Sequence, residues 1–341
     1  MKIAKNIPLK RHSTFNVGGN ADYFLSVRNK DELREAIHTA RMMGVPFLVV
    51  GECSNILFSD EGFRGLIIRN DIKGYEFFEK KGNLYVGVGA GENWDAFVSR
   101  MVKDGVYGLE NLSGIPGSVG ATPVQNVGAY GKEVADHIAW VEVFNTDTYE
   151  TELFSNRQCT FGYRDSFFKT EEGRKYVITE VGFRLSREGS PNISYKDLTR
   201  YFNENDVRPT VPEVRKAVLS IRSKKFPDLN QYGCGGSFFK NPIIEKNVLR
   251  TLREKYKDLP YYQVGENAYK VPLAWLLEHV VPWKGVTRKT VGVYKEQPLV
   301  LVHYGGGTAS ELKSLADDIA HSVSRETNIL ITPEVSLIGN F

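Results

Sequence analysis

Three glycine-bearing segments of this chain limit what it can fold into. The first is Gly51-Glu52-Cys53-Ser54-Asn55. The second runs from Ser113 to Gly131. The third is Gly235-Gly236-Ser237-Phe238-Phe239-Lys240-Asn241-Pro242. Backbone without Cβ atoms takes conformations closed to other residues and can approach other groups closely, and it weakens the interior of a helix or strand. These stretches therefore read as backbone-lined loops, with the regular elements lying between them.

Asp31 to Met43 carries Leu33, Ile37 and Ala40 on one stripe and meets Gly44, which predicts a helix with a glycine stop. Phe47 to Val50 and Leu66 to Ile68 read as short apolar strands. Tyr75 to Gly87 predicts a hairpin turning at Lys81-Gly82-Asn83, and Trp94 to Lys103 a helix that stops at Gly105. Ile138 to Phe144 and Tyr149 to Phe154 predict a strand pair about Asp147, followed by a strand from Tyr176 to Leu185. Thr210-Val211-Pro212-Glu213 has the form of a capping box. The helix it opens puts Val214, Ala217, Val218 and Ile221 on one face and ends before Pro227. Beyond it, helices are expected over Lys246 to Lys257 and Ala309 to Glu326, with a strand from Leu299 to His303. The class is α+β, with an antiparallel middle block. At 341 residues the chain exceeds one ordinary core, and the pattern sets boundaries near Asn70 and at Phe226-Pro227.

Several function classes are excluded. A net charge of +3 without a long Lys/Arg run does not suit nucleic acid. The first residues lack the apolar core of a secretory signal, and no stretch approaches the length of a membrane span. Cys53, Cys159 and Cys234 show no C-x-x-C or zinc spacing and read as reduced cytosolic thiols; the histidines show no metal spacing either, so no metal is expected. Cys53 and Cys234 lie in glycine motifs where a nucleophile is conceivable, but no activating His or Lys signal accompanies them. Gly87-Val88-Gly89-Ala90-Gly91-Glu92 invites a dinucleotide-fold reading, yet the third glycine slot holds Glu92 from Gly87 and Trp94 from Gly89. Gly131-Lys132 continues to Glu133 and makes no P-loop. Gly305-Gly306-Gly307-Thr308 reads as a connecting loop with Thr308 as a helix cap.

The first two glycine segments fit a cofactor better. Successive N–H groups of residues 51–55 can form an anion nest, and Ser54 and Asn55 add side-chain donors. Gly114, Gly117, Gly120, Gly128 and Gly131, with Ser118, Thr122, Gln125 and Asn126, offer donors with little bulk, as a flat polar-rimmed ring requires. The plain alternative is that these glycines only make turns. Ser237 carries a hydroxyl that can give or take a proton. Two other charged groups stand out, in Tyr163-Arg164-Asp165-Ser166 and Pro333-Glu334-Val335; Ser237, Arg164 and Glu334 are expected to face one substrate. Taken singly they also fit a turn, a surface ion pair and a strand end.

Gly51-Glu52-Cys53-Ser54-Asn55, Ile115-Pro116-Gly117-Ser118-Val119-Gly120-Ala121, Gln125-Asn126-Val127-Gly128-Ala129-Tyr130-Gly131 and Gly236-Ser237-Phe238-Phe239-Lys240-Asn241-Pro242 together resemble the UDP-N-acetylenolpyruvoylglucosamine reductase family. The resemblance runs from about Leu9 to Ile338. It implies a three-domain FAD-binding fold of the vanillyl-alcohol-oxidase/p-cresol-methylhydroxylase type with a C-terminal α+β substrate-binding domain. Residues 1–70 and 71–226 would be the FAD-binding subdomains and 227–327 the substrate domain, with residues 328–341 returning to the first. Tyr195, in Ser194-Tyr195-Lys196-Asp197-Leu198, resembles the tyrosine of a loop that closes over substrate in the type I branch. Ser336 stands where that branch often has an arginine, which removes a cation near the site.

The resemblance implies an NADPH-dependent oxidoreductase that makes UDP-N-acetylmuramate for the cell wall with non-covalent FAD; a cytoplasmic monomer is expected, although the sequence itself does not give the oligomeric state. Gly51, Glu52, Cys53, Ser54, Asn55, Gly114, Ile115, Pro116, Gly117, Ser118, Gly120, Ala121, Gln125, Asn126, Gly128 and Ala129 would hold the flavin. Tyr163, Tyr195, Lys225, Asn241 and Gln297 would hold the nucleotide sugar. Hydride from the reduced flavin would reach the vinyl carbon of an enolpyruvyl ether, Arg164 and Glu334 would stabilise the resulting enediolate, and Ser237 would protonate it. NADPH would use the same cleft first, and Lys240 is a neighbouring cation without an assigned role. An oxidase of the same fold and a non-catalytic nucleotide-sugar binder are the competing readings. The first would make peroxide and the second would be colourless.

Overall fold

The computed structural model describes residues 2–341. The chain forms two compact units, each gathered from separate stretches. The first takes the residues up to Ile7, Ala21–Cys53 and Arg64–Ser223; the second takes Pro8–Asn20, Ser54–Phe63 and Lys224–Phe341.

The first unit is built on a five-stranded antiparallel sheet, in the order Thr151–Ser155, Ile138–Asn145, Tyr176–Leu185, Asn83–Gly89, Tyr75–Lys80. Alternation decides which face is dry. Val86, Val88, Val141, Val143, Val181 and Phe183 are buried against Trp94, Phe97, Val98 and Met101 of the helix Trp94–Lys103. Asn93 caps that helix, its side chain accepting from Ala96 N at 2.9 Å. A four-stranded sheet, ordered Ala4–Pro8, Asn20–Val27, Phe63–Asn70, Phe47–Val50, packs Leu25, Val27, Leu66 and Ile68 against Leu33, Ala36, Ile37 and Ala40 of the helix Lys30–Met42. Phe47–Val50 and Phe63–Asn70 run parallel, joined by a connection that carries the strand Ile56–Phe58. The helices Lys196–Asn205 and Val211–Lys225 share a separate small core of Leu198, Phe202, Val214, Ala217, Val218 and Ile221. The capping box expected at Thr210 is half made. Its hydroxyl accepts from Glu213 N at 3.4 Å, but the Glu213 carboxylate turns to Lys216 at 3.4 Å.

In the second unit the helix Ala309–Thr327 lays Leu312, Leu315, Ile319 and Val323 into a core with Val291, Val293 and Leu301. The last three come from the antiparallel strands Val291–Val293 and Leu301–His303. Thr308 and Glu311 form a reciprocal capping box at its start, and Asn328 ends it in the left-handed conformation. The helix expected over Lys246 to Lys257 forms as Lys246–Lys255, and the strand from Leu299 shortens to Leu301–His303. The segment Ser336–Ile338 pairs in parallel with Ile56–Phe58. The helix Leu273–His279 and the small sheet of Ile243–Glu245, Ala268–Lys270 and Tyr262–Gly265 carry too little periodicity to be read from the sequence. Among the described residues no helix is long and apolar enough to cross a membrane, and no group of His, Cys, Asp and Glu could hold a metal.

Candidate active site

Within the first unit the structure brings residues 51–53 of the first glycine segment onto the second segment. The strand Phe47–Val50 delivers Gly51 onto Ser118, so closely that a Cβ on Gly51 would lie 2.1 Å from Ser118 Oγ and 3.1 Å from its Cβ. Glu52 Oε1 accepts from Asn93 Nδ2 at 2.9 Å, and Trp94 N donates to Gly117 O at 2.9 Å. The start of the helix Trp94–Lys103 thus fixes both loops. Cys53 is left-handed, at φ 51°. Among the described residues the amides of Glu52 and Cys53 find no acceptor in the chain. A strained turn with two unclaimed N–H groups beside a second glycine loop is a fit cradle for a diphosphate. Gly51→Ala is expected to lower flavin content, read as visible absorbance per protein, and Gly51→Ala with Ser118→Gly to restore it. Equal loss in both would show that the close approach is not what Gly51 supplies.

Residues 114–121 are tied down by backbone bonds of their own. Val119 N donates to Glu92 O and Gly120 N to Ala90 O, both at 2.8 Å. Gly114 N donates to Asp95 Oδ1 at 2.6 Å and Gly114 O accepts from Arg222 Nε at 3.0 Å. Asp95 also takes a bidentate pair from Arg215, at 2.6 and 2.8 Å. Burial opposes the charge on Asp95, but the bonds from Arg215 and Gly114 with the Arg222 charge outweigh it and hold the carboxyl below its usual range. Neither arginine was legible as part of the site, because charges on a helix usually mark a solvated face.

Gly128–Ala129 and Lys132–Glu133 form a two-residue hairpin whose turn, Tyr130-Gly131, has φ of 49° and 79°, the pattern of a type I′ turn. Arg164 Nη2 donates to Gly128 O at 2.5 Å, and its other terminal nitrogen would sit 2.9 Å from a Cβ on Gly128. Arg164 is itself left-handed, at φ 53°, and its guanidinium lies 5.3 Å from the Tyr163 ring centroid. Asn126 is fully engaged inside the protein. Its Nδ2 donates to Glu133 at 2.7 Å and Gly162 O at 3.0 Å, and its Oδ1 accepts from Ala135 N at 3.1 Å. What Asn126 can offer a ligand is its backbone. Gln125 and Ala129 are half-buried beside it, and Ile115, Pro116 and Ala121 line the partly open side of the second loop. Tyr195 heads the helix Lys196–Asn205, 41% exposed, with its ring edge-on to Tyr130 at 5.4 Å. Burial pushes the Tyr130 phenol up to about 12, so it stays neutral.

The second unit holds Ser54, Asn55, Lys225, Ser237, Asn241, Gln297 and Glu334. Ser237 sits on an extended run between two neighbours. It bridges Val300 on one side, while Phe239 bridges Pro333 on the other. Phe238 N donates to Leu299 O and Glu334 N to Phe238 O, both at 2.7 Å. Phe238 and Phe239 are buried in the unit's core and anchor the run, with rings 5.1 Å apart. Ser237 is half-buried, and among the described residues its hydroxyl takes no hydrogen bond from the chain and gives none. Glu334 is thereby placed on the strand-like neighbour of Ser237. Asn55 Nδ2 donates to Glu334 O and Ser336 N to Asn55 O, each at 3.0 Å, so the Glu334 backbone is clamped from both sides. Asn241 Oδ1 accepts from Leu273 N at 2.9 Å, and Gln297 Oε1 from Leu299 N at 3.4 Å. Lys225 is the last residue of its helix. Arg164, Tyr163 and Tyr195 belong to the first unit.

Burial argues against a nucleophilic role for the cysteines. All three thiols are free and buried, and burial pushes Cys53 and Cys159 up to about 12.

The chain matches the family model for an FAD binding domain over residues 21–151. It matches the model for the C-terminal domain of UDP-N-acetylenolpyruvoylglucosamine reductase over residues 228–338. The reductase of that name from Cupriavidus pinatubonensis is 38% identical over 327 residues, covering 96% of both chains. The one from Ralstonia nicotianae is 38% identical over 336 residues, covering 97% of this chain and 98% of the relative. A crystal structure of the Thermus caldophilus reductase shares the fold, with a TM-score of 0.68 over 99% of this chain and 98% of that one, at 22% identity.

Proposed function

This chain belongs to the UDP-N-acetylenolpyruvoylglucosamine reductase family, and on that premise we propose that it reduces UDP-N-acetylglucosamine enolpyruvate to UDP-N-acetylmuramate with NADPH and bound FAD, a step of peptidoglycan precursor synthesis. The observation that carries the reading is one chain joining an FAD binding domain to the reductase's own C-terminal domain. The loops at residues 51–55 and 114–129 would hold the flavin, with the backbone doing most of the work.

When bound, the flavin would supply the hydride, taken from NADPH, that the vinyl carbon of the enolpyruvyl group receives. The chain's own residues handle the charge and the proton that remain. Negative charge grows on the neighbouring carbon and spreads into the substrate carboxylate. Arg164 meets that carboxylate with a planar, permanently charged fork. Glu334 assists in its protonated form, or through a donor. Ser237 gives its hydroxyl proton to the basic carbon. Tyr163, Tyr195, Lys225, Asn241 and Gln297 hold the nucleotide sugar. Residues 1–70 and 71–226 serve as flavin subdomains and 227–327 as the substrate domain. The pairing of Ser336–Ile338 with Ile56–Phe58 supports a return of residues 328–341 to the first of these. Three free thiols support a reducing, cytoplasmic setting, where the protein acts as a monomer.

The test is a visible spectrum. The purified protein should be yellow, lose its colour with NADPH in the absence of oxygen, and regain it on adding the enolpyruvyl sugar nucleotide. A colourless protein, or one whose colour returns only with oxygen and with peroxide, would refute the reading.

A further inference from the structure

We propose that Asn111 is the positioning residue for substrate closure: its buried amide sets the Tyr195 loop against the hairpin that holds the Arg164 guanidinium. The inference rests on the reductase reading above. Asn111 lies on the short 3-10 turn Glu110–Leu112 and is 1% exposed. Its Nδ2 donates to Tyr130 O and to Asn192 O, both at 2.9 Å. One carbonyl belongs to the hairpin turn and the other to the segment that leads into Tyr195.

The contacts close a ring. Asn192 Oδ1 accepts from Ser194 N at 2.9 Å and from Ser194 Oγ at 2.7 Å, which bends the chain into Tyr195. Tyr195 O then takes the amides of Leu198 at 2.9 Å and Thr199 at 3.0 Å, starting the helix. The Tyr195 ring stands at 82° to that of Tyr130, which returns the circuit to the hairpin. Two residues before Tyr130, Gly128 O receives Arg164. A single amide is therefore in register with the substrate-closing tyrosine and with the arginine.

Only a neutral double donor fits there. Leucine would leave two carbonyls without a partner, and aspartate would set a carboxylate against them. Asn111 acts through Tyr130 and Tyr195, and it touches no reacting group.

In Asn111→Leu and Asn111→Asp holoenzymes, KM for the sugar nucleotide is expected to rise on the order of tenfold. Bleaching by NADPH should keep its rate, and amide hydrogen exchange over residues 190–196 should quicken in the unliganded protein. An unchanged KM in a folded variant, or a raised KM without faster exchange there, overturns the inference. If these variants do not fold, Asn192→Ala decides. That position is half-buried, and the change removes only the Ser194 turn. It should raise the same KM and the same exchange, and wild-type values for both overturn the inference. Tyr195→Phe separates the two ideas. If it leaves KM unchanged, the substrate role of Tyr195 fails, while exchange in the Asn111 variants still reports on the positioning.

Discussion

In the Ser237→Ala enzyme, NADPH bleaches the flavin at the wild-type rate, and the enolpyruvyl substrate restores the colour roughly 10²–10⁴-fold more slowly. The split follows from where the hydroxyl enters. Reduction by NADPH needs no proton from the serine, whereas the carbanion formed after hydride transfer must be quenched. The backbone of this position is held from two sides, at Val300 and through Phe239 at Pro333, so removing one oxygen does not release the run. Phe238 and Phe239 remain anchored in the core. Ser237→Cys keeps a proton donor in place and should recover part of the lost rate. Rapid-mixing measurement of the two half-reactions decides the matter. Equal slowing of both, or of neither, removes Ser237 from the protonation step.

Arg164→Lys should lower turnover by about 10²–10³-fold while the protein stays folded and yellow. Lysine keeps the charge but loses the fork that meets a carboxylate with two parallel bonds. The position is over-determined. Its backbone is left-handed, its carbonyl accepts from Lys169 Nζ at 2.9 Å, and its guanidinium donates to Gly128 O and faces Tyr163. Such strain is kept only where surroundings enforce it. A drop in melting temperature with flavin loss would show that the arginine mainly holds the hairpin. Turnover within a few-fold of wild type would show that the substrate carboxylate does not depend on it.

The elements that were legible are those whose burial repeats strongly. The helix at Asp31, the hairpin about Gly82, the helix at Trp94 and the strand pair about Asp147 all form within a few residues of their expected bounds. The helix Lys196–Asn205 was missed because it buries only Leu198 and Phe202. The strand Ala4–Pro8 was missed because it buries no side chain fully; Asn20–Val27 does bury Ala21, Leu25 and Val27 on one face, but Phe24 on the other face blurs the alternation in the sequence. Among site residues, the glycines announced loops but not what the loops approach. Asn111, Arg215 and Arg222 gave no local signal, since a buried amide or a paired arginine looks in a sequence like any turn or helix surface.

Chemical identity was settled by the sequence alone. The hydroxyl at Ser237, the fork at Arg164, the carboxyl at Glu334 and the bare backbone of the glycine loops are local facts, and membership in the family follows from likeness along nearly the whole chain. Only the tertiary structure could decide that Gly51 must be bare because Ser118 lies on it, that Ser237 and Glu334 ride on neighbouring extended segments, and that one amide at Asn111 joins a hairpin to a distant loop. The reason is physical. Periodicity and turn chemistry act over a few residues, whereas close approach and hydrogen bonding between remote segments exist only once the chain has packed.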